Sequence, residues 1–349
     1  MLALVSPANL SAVDSSVENL LLAGDWDGVY SMLRTDSTIN SDPVAMILYN
    51  HACSATNRTQ IFRVFTADEF ISWAQWSGLF KKRHPSNPIV LFLYGDAKLR
   101  LKLYDEALAE FSEALRYDDK FSLAYYGRGK AYSSKNESDL ALKDFNSALN
   151  CNEEIAELFY LRSGEYHKQG KYNNSISDCS KAIQLQPDFS RAYSQRGQSY
   201  HRREKYDEAI FDFNDALELN PNLISAYYYR GKAFFETRQN AEAIADFLIF
   251  LQQQPNHLDA HIDIAGAYRE TGKFEQALAH LDQAIRIDRT ISYVYQLKSQ
   301  ICEDCGKYLD AIEACRAYVK YAPSSESEQI DQTFLRIEVL KRKLDESEL

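Results

Sequence analysis

Three cysteines near the C-terminal end come closest to a reactive site by residue type and spacing. Cys302 and Cys305 form a CxxC pair, and Cys315 lies ten residues further on. Thiolates at such spacing bind zinc or exchange electrons, but zinc needs four ligands, and no second Cys or His pair has suitable spacing. Cys302 and Cys315 also recur in columns that hold Tyr and Phe elsewhere in the chain. We therefore interpret them as core thiols and expect no metal and no cofactor.

The sequence also lacks the signatures of the common catalytic sites. It contains no GxxxxGK[ST] phosphate loop, no GxSxG nucleophile elbow and no HExxH zinc helix. The glycines that it does have fall at regular intervals and not in a loop that follows a strand. We therefore predict a protein without enzymatic activity.

Arginine and aspartate form a second pattern with possible chemistry. Four residues of each type repeat every 34 residues, and both types disappear together further along the chain. They are Arg128, Arg162, Arg196, Arg230, Asp144, Asp178, Asp212 and Asp246. Because the two types are kept and lost together, we interpret them as ion pairs between packed helices rather than as ligand contacts.

Composition and charge limit the class of protein. Of 349 residues, 45% are apolar and 26% are charged, which is the balance of a globular chain. The longest apolar run, Ile89 to Tyr94, has six residues, so we expect no membrane span. The N-terminus lacks the basic start of a secretory signal, which predicts a cytoplasmic protein. A net charge of −11 argues against general binding of nucleic acid.

A 34-residue period organises most of the chain. Prolines, alanines, glycines and phenylalanines all recur on this grid, for example at Pro187, Pro221, Pro255, Ala107, Ala141, Gly95, Gly129, Phe111 and Phe145. The pattern W/Y-x-x-L-G-x-x-Y, then A-x-x-x-F-x-x-A, then P resembles the tetratricopeptide repeat family. The resemblance covers residues 88–325 as seven consecutive units: 88–121, 122–155, 156–189, 190–223, 224–257, 258–291 and 292–325.

Each unit has the pattern of two antiparallel helices. Apolar residues recur at helical spacing, as at Ala209, Phe213 and Ala216 of one second helix. Gly170 and Gly272, with Gly306, are expected to form the turns between helices. One hairpin cannot bury both of its faces, so the units must stack. The predicted fold is all-α, and the resemblance implies a right-handed superhelical solenoid of helix hairpins.

The two ends depart from the grid. Residues 1–87 are predicted to form an irregular helical region with degenerate repeat-like hairpins, and they contain all three tryptophans, Trp26, Trp73 and Trp76. Residues 326–349 are predicted to form a capping helix and a short tail. The apolar stripe of that helix consists of Ile330, Phe334, Ile337, Leu340 and Leu344.

The resemblance also implies a ligand groove. In the family, the first helices of the repeats line a concave face, and repeats two to five of this chain place basic, aromatic and imidazole side chains there. The predicted binding residues are Tyr126, Lys130, Tyr160, His167, Lys168, Arg191, His201, Arg202, Tyr228, Lys232 and Phe235. The matching positions are mostly acidic in repeats six and seven. In repeat one they are mostly apolar.

These features favour a non-catalytic scaffold or adaptor that binds a protein partner, with an acidic or C-terminal peptide segment in the groove. The Lys and Asn set with which co-chaperone members hold the terminal carboxylate of Hsp70 or Hsp90 is not matched. Two alternatives remain open. The chain could be a structural subunit that docks through its N-terminal region. It could also bind RNA, with bases stacked on its tyrosines, although the net charge opposes this.

Overall fold

The computed structural model describes residues 15–34, 43–55, 66–151 and 155–347. Within these ranges it contains nineteen α-helices, one 3₁₀ turn at Ser324–Glu326 and no strand, which confirms the all-α prediction. The helices are α1 Ser15–Ala23, α2 Trp26–Arg34, α3 Pro43–Ala55, α4 Ala67–Arg83, α5 Pro88–Arg100, α6 Tyr104–Tyr117, α7 Ser122–Ser134, α8 Ser138–Asn150, α9 Ala156–Lys168, α10 Tyr172–Leu185, α11 Ser190–His201, α12 Tyr206–Leu219, α13 Ile224–Glu236, α14 Asn240–Gln253, α15 Leu258–Glu270, α16 Phe274–Ile287, α17 Ser292–Asp304, α18 Tyr308–Tyr321 and α19 Ser327–Ser347.

The chain divides into two compact units, residues 1–199 and 200–349. In both, consecutive helices pack as pairs, for example α5 with α6 in the first unit and α17 with α18 in the second. Each predicted 34-residue repeat whose two helices lie within one unit therefore contributes one helix hairpin. The predicted domain bounds 1–87, 88–325 and 326–349 come from the repeat register. The division into compact units does not test these bounds, so they stay predictions.

The turn between the two helices of a repeat uses one left-handed residue in every repeat. Gly170, Gly272 and Gly306 have φ between +71° and +75°, which confirms the predicted turns. At the same repeat position the other four repeats carry residues with a side chain, at φ of +60° or +61°: Lys102, Asn136, Glu204 and Arg238. Left-handed backbone costs a non-glycine residue about 1 kcal/mol. The geometry of the turn is thus fixed by the hairpin and not by glycine.

The core of each hairpin matches a small residue to a large one. On α7, a Cβ added to Gly129 would lie 2.5 Å from the Phe145 ring of α8, and that ring is fully buried. Where the first helix carries serine instead, the second helix carries cysteine, as in Ser163 with Cys179, whose side chains lie 3.1 Å apart. Close approach of the two helices therefore requires complementary volumes at this level.

The N-terminal helices pack their tryptophans inward. Trp73 of α4 is fully buried and stacks on Trp76, with ring centroids 5.2 Å apart. Both belong to the same apolar cluster as Val29 and Leu33 of α2 and Phe92 of α5. For the described residues, these two tryptophans thus cap the first repeat internally and do not form an exposed docking surface.

Candidate functional site

The predicted binding residues of the first unit lie on α7, α9 and α11. These helices carry few polar caps: α7 begins after Phe121 and α9 after Ile155, and neither residue makes a side-chain capping bond. Packing of their apolar faces holds them in place. Tyr126 and Lys130 are four residues apart on α7 and share a face, with the Lys130 Nζ 5.0 Å from the Tyr126 ring centroid.

A buried carboxylate that the sequence did not reveal lies beside this pair. Asp96 of α5 is 3% exposed, and its Oδ2 accepts hydrogen bonds from Arg100 Nε at 2.6 Å and Trp73 Nε1 at 3.2 Å. The His51 Nε2 of α3 lies 3.0 Å from the same oxygen. Burial raises the pKa of Asp96, but Arg100 and His51 together outweigh it, and the pKa falls far below its usual range. Repeat one thus adds an ion pair to a face predicted to be mostly apolar.

Lys130 is the cation that this face leaves uncompensated. The described residues offer its Nζ neither a hydrogen bond nor an ion pair, whereas Asp96 is bonded to Arg100, and Glu157 to Arg191 at 3.0 Å. Burial lowers the pKa of Lys130, and the nearby Arg100 and Arg191 lower it further. The carboxylates of Asp96 and Glu157 raise this pKa, but the net direction is downward. An ammonium group in such surroundings is stabilised by any anion that approaches it.

Tyr160 and Arg191 form the aromatic side of the same face. The Arg191 guanidinium lies 5.1 Å from the Tyr160 ring and 5.2 Å from the Phe189 ring. Burial raises the pKa of both Tyr126 and Tyr160, so their hydroxyl groups remain protonated donors at neutral pH. The structure therefore brings Tyr126, Lys130, Tyr160 and Arg191 near a common set of carboxylates.

His167 and Lys168 are engaged within the fold. His167 Nδ1 lies 2.9 Å from the Ser199 hydroxyl, and its ring meets Tyr172 edge-on at 5.2 Å. Lys168 Nζ donates to the buried Glu165 carboxylate at 2.7 Å. These two residues contribute to packing at the end of α9, and a ligand would have to compete with those partners.

The second unit holds a similar group on and around α13. Tyr228 donates from its hydroxyl to Asp263 Oδ2 at 2.9 Å, and Lys232 Nζ lies 3.8 Å from the same carboxylate oxygen. Burial raises the pKa of Asp263, and this outweighs the lowering by Lys232 and Tyr228. Phe235 is half-buried at the end of the same helix.

His201 has an unusual environment within this second group. Its Nε2 is buried and has no hydrogen-bond partner among the described residues. Burial, followed by Lys232 and Arg202, lowers the pKa of His201 to about 4. The imidazole is therefore neutral at physiological pH, so in unit two Lys232 and Arg202 carry the positive charge of the predicted site.

Three of the four predicted arginine–aspartate pairs are present as bidentate ion pairs. Arg128, Arg162 and Arg230 each donate from Nε and Nη2 to the aspartate sixteen residues later, at 2.6–2.8 Å. The arginine side chains are 17–21% exposed, so these pairs are structural, as the sequence predicted. The fourth predicted pair, Arg196 and Asp212, has its residues in different units and stays a prediction.

The three C-terminal cysteines lie in or next to the core. Burial raises the pKa of Cys302 to about 11, and Cys315, whose Sγ is 2.9 Å from the Ser299 hydroxyl, also has a raised pKa because it is buried. At neutral pH these thiols are protonated, which makes them poor nucleophiles and poor ligands. Among the described residues, no cluster of three or more His, Cys, Asp or Glu side chains could hold a metal ion.

Comparison with protein families identifies the class. Six tetratricopeptide repeat models match the chain, at residues 75–156, 165–203, 190–223, 225–257, 250–301 and 292–325, and together they cover more than half of it. With the 34-residue columns and the paired helices, they define a helical repeat protein. The chain belongs to the tetratricopeptide repeat family. Such repeats act as protein-interaction scaffolds, and family members bind protein partners and peptides.

Solved structures share the fold at low sequence identity. The Cut9–Hcn1 hetero-tetramer of the APC/C aligns with a TM-score of 0.62 and 16% identity over 85% of this chain and 57% of that chain, so this chain spans little more than half of that relative. Pseudomonas aeruginosa pilF aligns with a TM-score of 0.53 and 19% identity over 58% of this chain and 91% of that one. YrrB, described as a TPR protein with an unusual peptide-binding site, aligns with a TM-score of 0.46 and 23% identity over 54% of this chain and 96% of that chain. No curated protein matches the chain.

Across the described ranges, no helix combines the length and the apolar composition that crossing a bilayer requires.

Proposed function

We propose that the chain is a non-catalytic scaffold whose first helices bind an acidic or C-terminal segment of a protein partner. The observation that carries this proposal is Lys130. It is a largely enclosed ammonium group without a hydrogen-bonded carboxylate, and it lies against the Tyr126 ring at 5.0 Å. A carboxylate from a peptide side chain or terminus is the natural counter-ion for such a group.

The neighbouring groups support the same kind of ligand in the first unit. Asp96 neutralises Arg100, and Glu157 neutralises Arg191. Lys130 therefore gives this cluster of five side chains a net charge of +1. Tyr160 and Tyr126 provide apolar surface and hydroxyl donors. Aromatic anchors beside one charged group are typical of peptide recognition, because rings bury much area with little loss of side-chain entropy.

In the second unit, Tyr228, Lys232, Phe235, His201 and Arg202 form the corresponding proposed contact set. Here the Lys232 ammonium group already has a nearby carboxylate, because it lies 3.8 Å from Asp263 Oδ2. We therefore assign the main anionic contact of the first unit to Lys130, and we propose the group around Lys232 as a separate contact set of the second unit. His167 and Lys168 complete the proposed contacts on α9.

The test is affinity capture of partners from native lysate with the full chain, followed by measured binding of the captured partner. Lys130→Gln removes the charge and keeps most of the side-chain length; we expect partner binding to weaken by about tenfold. Lys143→Gln is the matched control, because Lys143 is an exposed lysine on the second helix α8. Equal binding by the wild type and Lys130→Gln, with both proteins folded by circular dichroism, would remove Lys130 from the site.

A further inference from the structure

The buried carboxylate of Asp96 receives all of its donors at one oxygen. Arg100 Nε lies 2.6 Å from Oδ2, His51 Nε2 lies 3.0 Å from it, and Trp73 Nε1 lies 3.2 Å from it. Because the pKa of Asp96 lies far below its usual range, the carboxylate is ionised and can only accept, so His51 Nε2 must carry the proton of its hydrogen bond. Among the described residues, no group donates to the other oxygen, Oδ1.

Lys130 is within electrostatic reach of this carboxylate but is not bonded to it. Burial has the largest effect on the pKa of Lys130 and lowers it; of the carboxylates that raise this pKa, Asp96 acts more strongly than Glu157. Both Lys130 and Asp96 are described in the structure, and no ion pair joins them, whereas Arg100 Nε is paired with Asp96 Oδ2 at 2.6 Å. A lysine ammonium group on its flexible four-carbon stem adapts easily to a nearby carboxylate. Something in the fold must therefore keep the Asp96 carboxylate turned away from it.

We propose that His51 and Trp73 are positioning residues for Lys130, because they hold the Asp96 carboxylate in an orientation in which it does not become the counter-ion of Lys130. Oδ1 can turn toward the ammonium group only by rotation of the carboxylate, and this rotation would break the charge-assisted hydrogen bonds at Oδ2. Lys130 then stays available for an anion from outside the chain. This inference rests on the proposed function, in which Lys130 makes the main anionic contact of the first unit.

Both positioning residues come from helices that precede the first repeat. His51 of α3 is 7% exposed and Trp73 of α4 is fully buried, and their rings lie 6.2 Å apart. Phe92 of α5 meets the His51 ring edge-on at 5.3 Å. This packing fixes the two donors and prevents water from replacing them at Asp96. The N-terminal helices thus control a groove to which they contribute no predicted contact residue.

The test follows the protonation of Lys130 itself, by NMR of the full chain labelled with ¹³C at the ε carbon of lysine. The signal of Lys130 is assigned by its loss in Lys130→Gln, and its shift is recorded against pH. Trp73→Phe keeps an aromatic ring and removes one donor, which frees the Asp96 carboxylate to pair with Lys130, so we expect the pKa of Lys130 to rise. Asp96→Asn removes the negative charge, so we expect the pKa of Lys130 to fall further. The other charged groups near Lys130, which are Arg100, Glu157 and Arg191, are unchanged in both variants.

Opposite shifts distinguish positioning from a general loosening of the structure. Loosening exposes Lys130 to water, which would raise its pKa in Trp73→Phe and in Asp96→Asn alike. Phe80→Leu is the control and should leave Lys130 as in the wild type, because Phe80 is fully buried on the same helix as Trp73 and packs on Trp76 at 5.1 Å.

Variants of His51 provide a second, independent comparison. His51→Leu should act like Trp73→Phe, and His51→Gln, which retains an N–H donor, should restore the wild-type titration. The proposal is overturned if Trp73→Phe and His51→Leu leave the pKa of Lys130 unchanged or lower it, or if Asp96→Asn raises it.

A binding measurement separates this inference from the proposed function. The probe is the blocked acidic peptide acetyl-Glu-Asp-Leu-Glu-Asp-amide, titrated against the same Lys130 signal. We expect Trp73→Phe to weaken binding about threefold and Asp96→Asn to strengthen it about tenfold, because loss of the Asp96 charge makes the cluster more positive. If the lysine titrations shift as expected and the peptide does not bind to the wild type, the proposed anion contact fails and the positioning stands. Binding that Lys130→Gln abolishes but Trp73→Phe and Asp96→Asn leave unchanged supports the proposed function and overturns the positioning.

Discussion

Gly129 provides the sharpest test of how the hairpins pack. A methyl group at this position would lie 2.5 Å from Cε1 and 2.7 Å from Cδ1 of Phe145, well inside van der Waals contact. Alanine in a helix gains about 1 kcal/mol over glycine, whereas overpacking a core costs about 1–3 kcal/mol. We expect Gly129→Ala to destabilise the protein by up to about 2 kcal/mol, near the upper end of that balance, because the fully buried ring has little space into which to move.

Gly164 on α9 is the matched control, since no atom lies within 4 Å of a Cβ added there. Gly164→Ala should therefore stabilise the protein by up to about 1 kcal/mol through helix propensity. Repeat six shows how the Gly129 clash is relieved: Ala265 and Leu281 occupy the two equivalent positions, and both are fully buried. Phe145→Leu should thus recover at least about 1 kcal/mol in the Gly129→Ala background.

Urea unfolding followed by circular dichroism measures all four variants, and the fluorescence of Trp73 and Trp76 reports on the same unit. The reasoning fails if Gly129→Ala is as stable as Gly164→Ala. It also fails if Gly129→Ala and Phe145→Leu are additive in the double variant.

Three further predictions follow from the hairpins. Gly170→Ala places a side chain at φ +73° in open space, so it should cost about 1 kcal/mol from backbone strain alone in urea unfolding. Arg230→Met leaves the buried Asp246 carboxylate without its ion-pair partner, so we expect the free energy of unfolding to fall by about 3 kcal/mol. The double variant Arg230→Met with Asp246→Leu should lose clearly less, and equal losses would contradict an ion pair. Burial and the adjacent His261 lower the pKa of His280 to about 4, below its unfolded value, so stability present at neutral pH should fall as the pH drops from about 6.5 to 4. Because the ring is partly exposed, we expect this pH-dependent loss in the free energy of unfolding to be about 1 kcal/mol. Urea midpoints measured at a series of pH values should show the loss in the wild type and not in His280→Gln.

The repeat architecture could be predicted because its signals lie within one 34-residue unit. Helical spacing, small residues opposite phenylalanines and the paired Arg and Asp columns are all local patterns, and three of the four ion pairs follow them. The left-handed turn was predicted only where glycine marks it. At Glu204 and Arg238 nothing in the residue type indicates the turn, because packing of the hairpin imposes it.

The polar group around Asp96 was beyond sequence reasoning for a different reason. Its partners His51 and Trp73 come from the irregular N-terminal helices, 45 and 23 residues away, and no period connects them to α5. The i, i+4 spacing of Asp96 and Arg100 at inward positions of the first repeat was the available signal, and it indicates the ion pair but not the contacts with His51 and Trp73. Likewise, Phe334, which the spacing assigns to the apolar stripe of α19, is 53% exposed, because the angle at which Ile337 and Leu340 dock on the last repeat is not specified by spacing alone.

The Asp96 network has a consequence for the dynamics of the first unit. One carboxylate receives a bond or an ion pair from three helices, α3, α4 and α5, so none of the three can open without leaving a buried charge short of partners. Amide hydrogens of these three helices should therefore exchange with solvent as one cooperative block. Helices α3 and α4 would open together with the first helix of the first repeat, although their sequences share no pattern.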